Sequence, residues 1–372
     1  MKIGFDAKRV FNNSGGLGNY GRNTIDLLHQ FNTDLNMVLY TPGFSTQPNL
    51  YAESNRIQVV RSACKCRIAK SWWRVNKVAA LAKSDNIDVF HGLTNELPLR
   101  LNKYNIPSVV SIHDLIFLHY PELYNSIDRR IYHAKSMAAC KYASKIIAVS
   151  KQTKDDIIKF YNIRPEKISI IYQNCHPRFL TELADNEKQL VLQKHRLPNN
   201  FLLFVGTLEE RKNVLNILKA IQRKAIDIPI VLVGKATAYV NTLIGFAEKH
   251  QLEGKLFIRH QIPDEDLPAI YQSASLFVYP SLFEGFGIPV LEAISSGVPV
   301  ITSNISSLPE AAGSGSLLTY PVSVGLLAEA IESVINNDSL RRQMIATGKE
   351  HAKNFSAQLI SRQLTQLYQS LL

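Results

Sequence analysis

Two glutamates eight residues apart, Glu284 and Glu292, stand in the stretch YPSLFEGFGIPVLEAISSGVPVITSNISSLPE, with Gly285, Phe286, Gly287 and Ile288 between them. The glycines allow backbone to approach a ligand closely. Pro289 lacks an amide proton and suits the start of a helix, and Gly297 suits the position just past its end. A helix over 289–296 is predicted, with the amides of Phe286, Gly287 and Ile288 free at an N-terminus whose partial positive charge favours phosphate. Glu284 then lies in the loop and Glu292 in the first turn, so that both carboxylates can face one pocket. Acceptors for sugar and ribose hydroxyls beside donors for a diphosphate are what a sugar nucleotide requires. The same residues allow a plainer arrangement, in which Glu292 offsets the helix dipole and Glu284 is solvated.

Other groups could serve such a ligand. Arg211 and Lys212, in TLEERKN, stand before an apolar helical run where two cations could clamp a diphosphate, although exposed basic pairs are common. His113 ends the apolar run SVVSIH, at the edge where open α/β sheets hold their ligands; a packed, hydrogen-bonded histidine is the alternative. Asp114 reads first as a loop or helix-cap residue. Gly16, Gly18 and Gly21 spell G-x-G-x-x-G, but about ten residues separate them from the first strand, and the second strand ends without an acid. That spacing argues against NAD or FAD and leaves a glycine loop beside a substrate phosphate. Asp264-Glu265-Asp266 contains a D-x-D pattern, for which a metal role is rejected. These acids begin a helix whose dipole favours them, and no second acidic cluster completes an oxygen-rich site.

The elements that must position these groups alternate strand and helix. Short apolar runs at 2–5, 36–40, 87–90, 108–114, 145–150 and 168–172 read as buried parallel strands, and the pattern restarts at 201–206, 230–233, 256–258, 276–279 and 300–302. Residues 174–188, with Pro177 and no clear period, read as a hinge. Helices are predicted at 126–142, 324–336, 339–355 and 356–372. The basic stretch before residue 84 reads as one helix with Val75, Val78, Ala79 and Ala82 on one face.

The setting EGFGIPVLEA and its continuation SGVPVITSNISSLPE resemble the E-x7-E motif of retaining glycosyltransferases of family four (group 1), two-domain enzymes of GT-B fold. The resemblance implies that Glu292 holds the ribose hydroxyls and Glu284 contacts the donor sugar, with the amides between them near its hydroxyls and phosphate. VGTLEERKN, beginning near Gly206, is similar to the family loop whose Arg and Lys contact the diphosphate, here Arg211 and Lys212. His113 matches a histidine placed near the donor sugar. Gly15 to Asn19, with Gly16 and Gly18, match a glycine-rich loop, and Ile262 falls where such enzymes offer backbone to the nucleobase. The likeness is strongest over 201–310 and patchy over 42–85. It implies an α/β fold of two doubly wound Rossmann-like domains facing across a cleft: an acceptor-side domain over 1–175, onto which 356–372 packs back, and a nucleotide-sugar domain over 190–355. The implied reaction moves a hexose from a UDP- or GDP-sugar to an acceptor hydroxyl with retention, without metal or cofactor, in cell-surface polysaccharide or glycolipid assembly. Arg211 and Lys212 are expected to matter to turnover more than to stability.

With 372 residues, 46% of them hydrophobic and 20% charged, two ordinary domains with full cores are expected. Cys64, Cys66, Cys140 and Cys175 form no C-x-x-C pair and read as reduced structural thiols. The opening MKIGFDAKRV has too short an apolar run for a signal peptide, and no window is apolar enough to span a membrane. The expected location is cytoplasmic. Residues 1–179 carry +12 and the remainder −1, which together give the net charge of +11, and residues 54–84 hold eight basic residues and no acid around Trp72 and Trp73. Such a surface suits an anionic partner. The expected partners are the donor and a carbohydrate or lipid-linked acceptor. Peripheral contact with an anionic inner membrane face is set against a basic cleft that recruits an acidic acceptor. A non-catalytic, basic nucleotide- or nucleic-acid-binding protein is the rival reading; it leaves the paired glutamates without a purpose, so no nucleic-acid partner is expected.

Overall fold

Runs such as Ser108–Ile112 and Leu276–Tyr279 are buried along their whole length, as strands of a parallel sheet covered by helices on both faces must be. The computed structural model describes residues 1–44, 49–52 and 54–372. The chain divides into two units, residues 1–173 with 357–372, and residues 174–356.

The first unit holds seven parallel strands: β1 (Lys2–Asp6), β2 (Asn36–Thr41), β3 (Ile57–Arg61), β4 (Val89–Gly92), β5 (Ser108–Ile112), β6 (Lys145–Ala148) and β7 (Ile168–Ile170). Their order is β3-β2-β1-β4-β5-β6-β7. The second unit holds β8 (Leu202–Val205), β9 (Ile230–Val233), β10 (Leu256–Arg259), β11 (Leu276–Tyr279), β12 (Val300–Ser303) and β13 (Leu317–Thr319), ordered β10-β9-β8-β11-β12-β13. Each order runs outward in one direction from the first strand of the unit and then reverses, the doubly wound arrangement in which ligands bind beyond the carboxyl ends at the reversal. In the second unit the reversal lies between β8 and β11, so Gly206 and the Pro280–Gly287 loop emerge side by side.

Several local expectations change. Gly16, Gly18 and Gly21 are not a loop; they lie in the Gly16–Phe31 helix, behind Gly15 as its cap. The chain folds back tightly here, and a side chain on Gly18 would sit 1.8 Å from the Asn13 carbonyl oxygen, whereas one on Gly16 would meet nothing within 4 Å. Gly18 is therefore required by packing and Gly16 is not. The basic stretch forms two helices, Arg67–Asn76 and Val78–Ser84, separated at Lys77. Residues 174–188 carry a short 3-10 turn at Pro177–Phe179 and the start of the Asp185–Lys194 helix, and they belong to the second unit.

The Ala357–Gln369 helix belongs to the first unit. Its buried face, Ile360, Ser361, Leu364, Leu367 and Tyr368, packs on the Gly16–Phe31 helix. Asn32 fastens the contact, donating to Ser361 Oγ at 2.7 Å and accepting from Thr365 Oγ1 at 2.9 Å.

Candidate functional site

β11 ends at Tyr279, and the loop beyond it turns into the Ile288–Ser295 helix through Gly287, whose φ of +116° excludes most side chains. The helix starts one residue before the expected one. Glu292 is its fifth residue, past the first turn, and so is not a dipole-offsetting N-terminal acid. The loop is braced from the next segment. Ser306 Oγ accepts from the Glu284 amide at 3.2 Å, and Ser307 Oγ donates to the Glu284 and Phe286 carbonyls, both at 2.9 Å. Phe286 itself is buried against Phe355. Among the described residues the amides of Gly287 and Ile288 carry no hydrogen bond, which leaves two donors at the helix start.

Glu284, Arg211 and Lys212 come together as one buried ion cluster. Lys212 Nζ lies 2.5 Å from Glu284 Oε1, and Arg211 Nη1 lies 3.1 Å from the same oxygen. Tyr279 donates to it at 3.2 Å and Ser281 at 2.6 Å, while Lys212 also donates to the Tyr279 hydroxyl at 2.6 Å. Arg211 is held further by Glu209 at 2.5 Å and by the Phe283 carbonyl. Burial would raise the Glu284 carboxyl, but Lys212 and Arg211 outweigh it and hold it at about 2. Burial lowers Lys212, against the pull of Glu284. The pair is thus charged, buried and mutually dependent, not an exposed basic doublet.

Glu292 is in the opposite electrostatic state. Burial pushes its carboxyl up to about 7, partly opposed by the Tyr271 hydroxyl, which donates to Oε2 at 2.9 Å. The two glutamates share one property. Each commits one oxygen to protein donors and, among the described residues, keeps the other free of any protein hydrogen bond. Two carboxylate oxygens available to hydroxyls therefore flank a pair of open amides.

The remaining predicted groups fall as follows. The Gly206 amide donates to the Val233 carbonyl at 2.9 Å, so its N–H is committed to the sheet edge and not open to a phosphate. Gly285 lies half-buried in the loop. Ile262 lies in the loop after β10, next to Gln261 at φ +56°, and its backbone makes no hydrogen bond among the described residues. Asp266 is engaged by Lys194 and His195, each at 2.7 Å, which gives the D-x-D acid a structural role. In the first unit, His113 is buried just past β5. Its Nε2 lies 2.8 Å from the Leu93 carbonyl, which makes Nε2 the protonated nitrogen and leaves Nδ1 an acceptor. Burial, opposed by that hydrogen bond, lowers the ring to about 4, so it is neutral near pH 7. The Asp114 carboxylate accepts from the Ile116 amide at 3.1 Å, a local turn.

Sequence reasoning passed over Tyr271, Tyr279, Ser281, Ser306 and Ser307. Tyr279 and Ser281 were in view, since hydroxyls at the carboxyl end of a strand are placed to serve a site. Tyr271 carried no such signal, being one apolar position of an ordinary helix.

The family model of glycosyl transferases group 1 matches residues 185–351, and that of glycosyltransferase family 4 matches residues 14–173. The chain is 34% identical over 289 residues to O-antigen chain mannosyltransferase B of Escherichia coli, an alignment covering 76% of this chain and 74% of that one. It is 27% identical over 277 residues to O-antigen chain mannosyltransferase RfbU of Salmonella typhimurium, covering 74% and 72%. Among solved structures, Anabaena Alr3699/HepE in complex with UDP-glucose superposes with a TM-score of 0.78 at 21% identity, over 100% of both chains.

Proposed function

Because the chain belongs to the group 1 glycosyltransferases and has the GT-B fold, we propose that it moves a hexose from a nucleotide-diphosphate sugar to an acceptor hydroxyl, with retention at the anomeric carbon and without a metal ion. The observation that carries this reading is the pair of carboxylates, each with one uncommitted oxygen, on either side of the open Gly287 and Ile288 amides. In this reading Glu292 accepts from the ribose hydroxyls and Glu284 from a sugar hydroxyl. Ile262 offers its backbone to the base, and His113 Nδ1 accepts from a sugar hydroxyl.

Arg211, Lys212 and the helix-start amides supply the positive field for the diphosphate. That field acts most strongly as the bond from the anomeric carbon to the phosphate oxygen breaks and charge grows on the leaving group. Glu284 is tied to two cations and is a poor nucleophile. Attack by the acceptor oxygen on the face that the diphosphate leaves, with the departing phosphate taking the acceptor proton, accounts for retention with these groups alone.

The two sequence relatives above are O-antigen chain mannosyltransferases, which makes mannose the first donor sugar to try and a surface polysaccharide the first class of product. Incubation with GDP-mannose, UDP-glucose and UDP-galactose, with release of nucleoside diphosphate as the readout, tests the transfer. The anomeric coupling constants of the product test the stereochemistry. Absence of turnover with every sugar nucleotide and glycan primer would overturn the reading, and an inverted product would overturn retention.

A lipid-linked acceptor at an anionic membrane face belongs to the same proposal. The Arg67–Asn76 helix exposes Ile68 (82%) and Trp72 (53%), and Lys77 lies 5.4 Å from the Trp72 ring centre. Arg67 and Lys65 are exposed beside them, a mixture that suits an interface. Two residues drop out of the expected face. Trp73 is in the core, and Arg74 is buried between Asp6 at 2.7 Å and Glu96. Among the described residues no helix is long and apolar enough to cross a membrane. Sedimentation with anionic but not neutral vesicles, abolished by Ile68→Ser with Trp72→Ser, supports this part. Indifference to both kinds of vesicle refutes it.

A further inference from the structure

Two groups of the first unit, the open helix start at Gly16 and the histidine His113, are joined by one side chain. Tyr20 lies four residues beyond Gly16, on the same face of the Gly16–Phe31 helix. Its ring stands at 88° to the His113 imidazole with centroids 4.5 Å apart, an edge-to-face contact. The phenol is not free to swing, because its hydroxyl is 2.7 Å from Ser111 Oγ. Ser111 is two residues before His113 in the same extended segment, so both side chains leave on one side of the sheet. Tyr20 thus grips the end of β5 at two points, one polar and one aromatic.

The polar point is itself fixed. Ser111 Oγ lies 2.9 Å from His91 Nε2, and His91 Nδ1 lies 2.7 Å from the hydroxyl of Tyr368 in the Ala357–Gln369 helix. All four side chains of this relay are buried. Packing needs no such chain: leucine, valine and phenylalanine would fill the same space without four polar groups to satisfy. A connected polar network that ends against an imidazole is a device for holding that imidazole.

We propose that Tyr20 is a positioning residue for His113, holding its ring in the orientation that keeps Nε2–H on the Leu93 carbonyl, and that the Ala357–Gln369 helix acts on His113 through Tyr368, His91, Ser111 and Tyr20. This rests on the placement of His113 in the transfer site given above. Tyr20 touches no reacting atom; it decides where Nδ1 of its neighbour points. By the same token, the helix contributed from beyond the second unit takes part in turnover without touching substrate.

The test uses the full chain, labelled with 15N in its histidine rings, with His113 assigned by its absence in His113→Gln. Wild type should show His113 as a single Nε2–H tautomer. Tyr20→Leu should convert it to a mixture and lower kcat roughly tenfold or more, since small misplacements of a site group are costly. The affinity for UDP or GDP should stay within about twofold, because those ligands are assigned to the second unit. Tyr20→Phe, which keeps the ring contact with His113 but cuts the relay at Ser111, should fall between wild type and Tyr20→Leu in both readouts and match Tyr368→Phe. Tyr368→Phe should move both readouts in the same direction as Tyr20→Leu, but less. An unchanged tautomer in Tyr20→Leu, or a changed tautomer with wild-type kcat, overturns the proposal. Should Tyr20→Leu not fold, Tyr368→Phe decides by the same two readouts. Full activity in His113→Gln would instead remove His113 from the transfer site, while the tautomer shift would still judge the positioning claim separately.

Discussion

Donor affinity should depend on pH through Glu292. Its carboxyl is raised to about 7 from an ordinary 4.5, with burial as the main cause and Tyr271 as its hydrogen-bond donor. In the proposed role the carboxylate accepts from two ribose hydroxyls, and a protonated carboxyl offers a weaker acceptor. Free enzyme is about half ionised at pH 7 and roughly one tenth ionised at pH 6. Apparent affinity should therefore fall by roughly tenfold for each unit below pH 7, about 1.4 kcal/mol, and level off above pH 8. Isothermal titration with a sugar nucleotide from pH 5.5 to 8.5 is the suitable assay, because the diesterified diphosphate has no proton to gain in that range. Arg178 and Asp264 also bear on Glu292, and His176, lowered by burial, lies beside Arg178. Glu292→Gln separates their effects: it should bind about 1.5 to 3 kcal/mol more weakly at pH 8 and lose the slope. The stability sign follows from the same shift. The folded state holds this proton more tightly than the unfolded chain, so the contribution of Glu292 is most favourable below about 4.5, falls as pH rises to about 7, and is flat beyond. A flat affinity profile in wild type, or an equal slope in the glutamine variant, would refute the reasoning.

Lys212→Met should strand the buried Glu284 charge and cost roughly 3 to 5 kcal/mol in urea unfolding, with Lys212→Met/Glu284→Gln recovering most of it and neither variant turning over; a loss below about 1 kcal/mol would show that Arg211 suffices. The Glu284 shift has the opposite sign to that of Glu292: its stabilisation is full above about 4.5 and disappears as pH falls toward 2, so Glu284→Gln should flatten the acid limb of a stability profile. Gly18→Ala should destabilise by about 1 to 3 kcal/mol through the clash with the Asn13 carbonyl, whereas Gly16→Ala should leave melting unchanged or raise it. A Gly16→Ala variant that is stable but slow in transfer would show that the open space there admits substrate; one with full activity would show that it does not.

Alternating apolar runs gave the sheet content because strands buried on both faces admit little else. Their order could not be read, since β8 and β11 are neighbours only through a reversal that leaves no local mark. The loop between Glu284 and Glu292 was legible through Gly287, Pro289 and Gly297. A start at Pro289 makes Glu292 the fourth helical residue, within the first turn, whereas the helix begins at Ile288 and makes it the fifth. The expectation that Arg211 and Lys212 matter more to turnover than to stability meets a buried ion cluster for which a stability cost is predicted as well. A run such as EERKN looks solvated, and nothing local shows that Glu284, far along the chain, pairs with both cations inside the protein, Arg211 being shared with Glu209. The glycine motif misled for a related reason: close approach to Asn13 demands Gly18 as firmly as a ligand would.

The division of the first unit into residues 1–173 and 357–372 has a consequence for biosynthesis. Its sheet emerges from the ribosome early, but the helix that covers the Gly16–Phe31 helix and supplies Tyr368 to His91 emerges only after the whole second unit has been made. At about 5 to 20 residues per second, the wait is on the order of ten seconds or more. During that time the surface awaiting Ile360, Leu364 and Leu367 stands uncovered, open to chaperones or to another nascent chain. The second unit, drawn from one continuous stretch, has no such delay and can close its own core first. On the proposed assignment of nucleotide to the second unit and of His113 to the transfer step, a chain whose His113 is set only when Tyr368 docks is born able to hold nucleotide before it is able to transfer sugar.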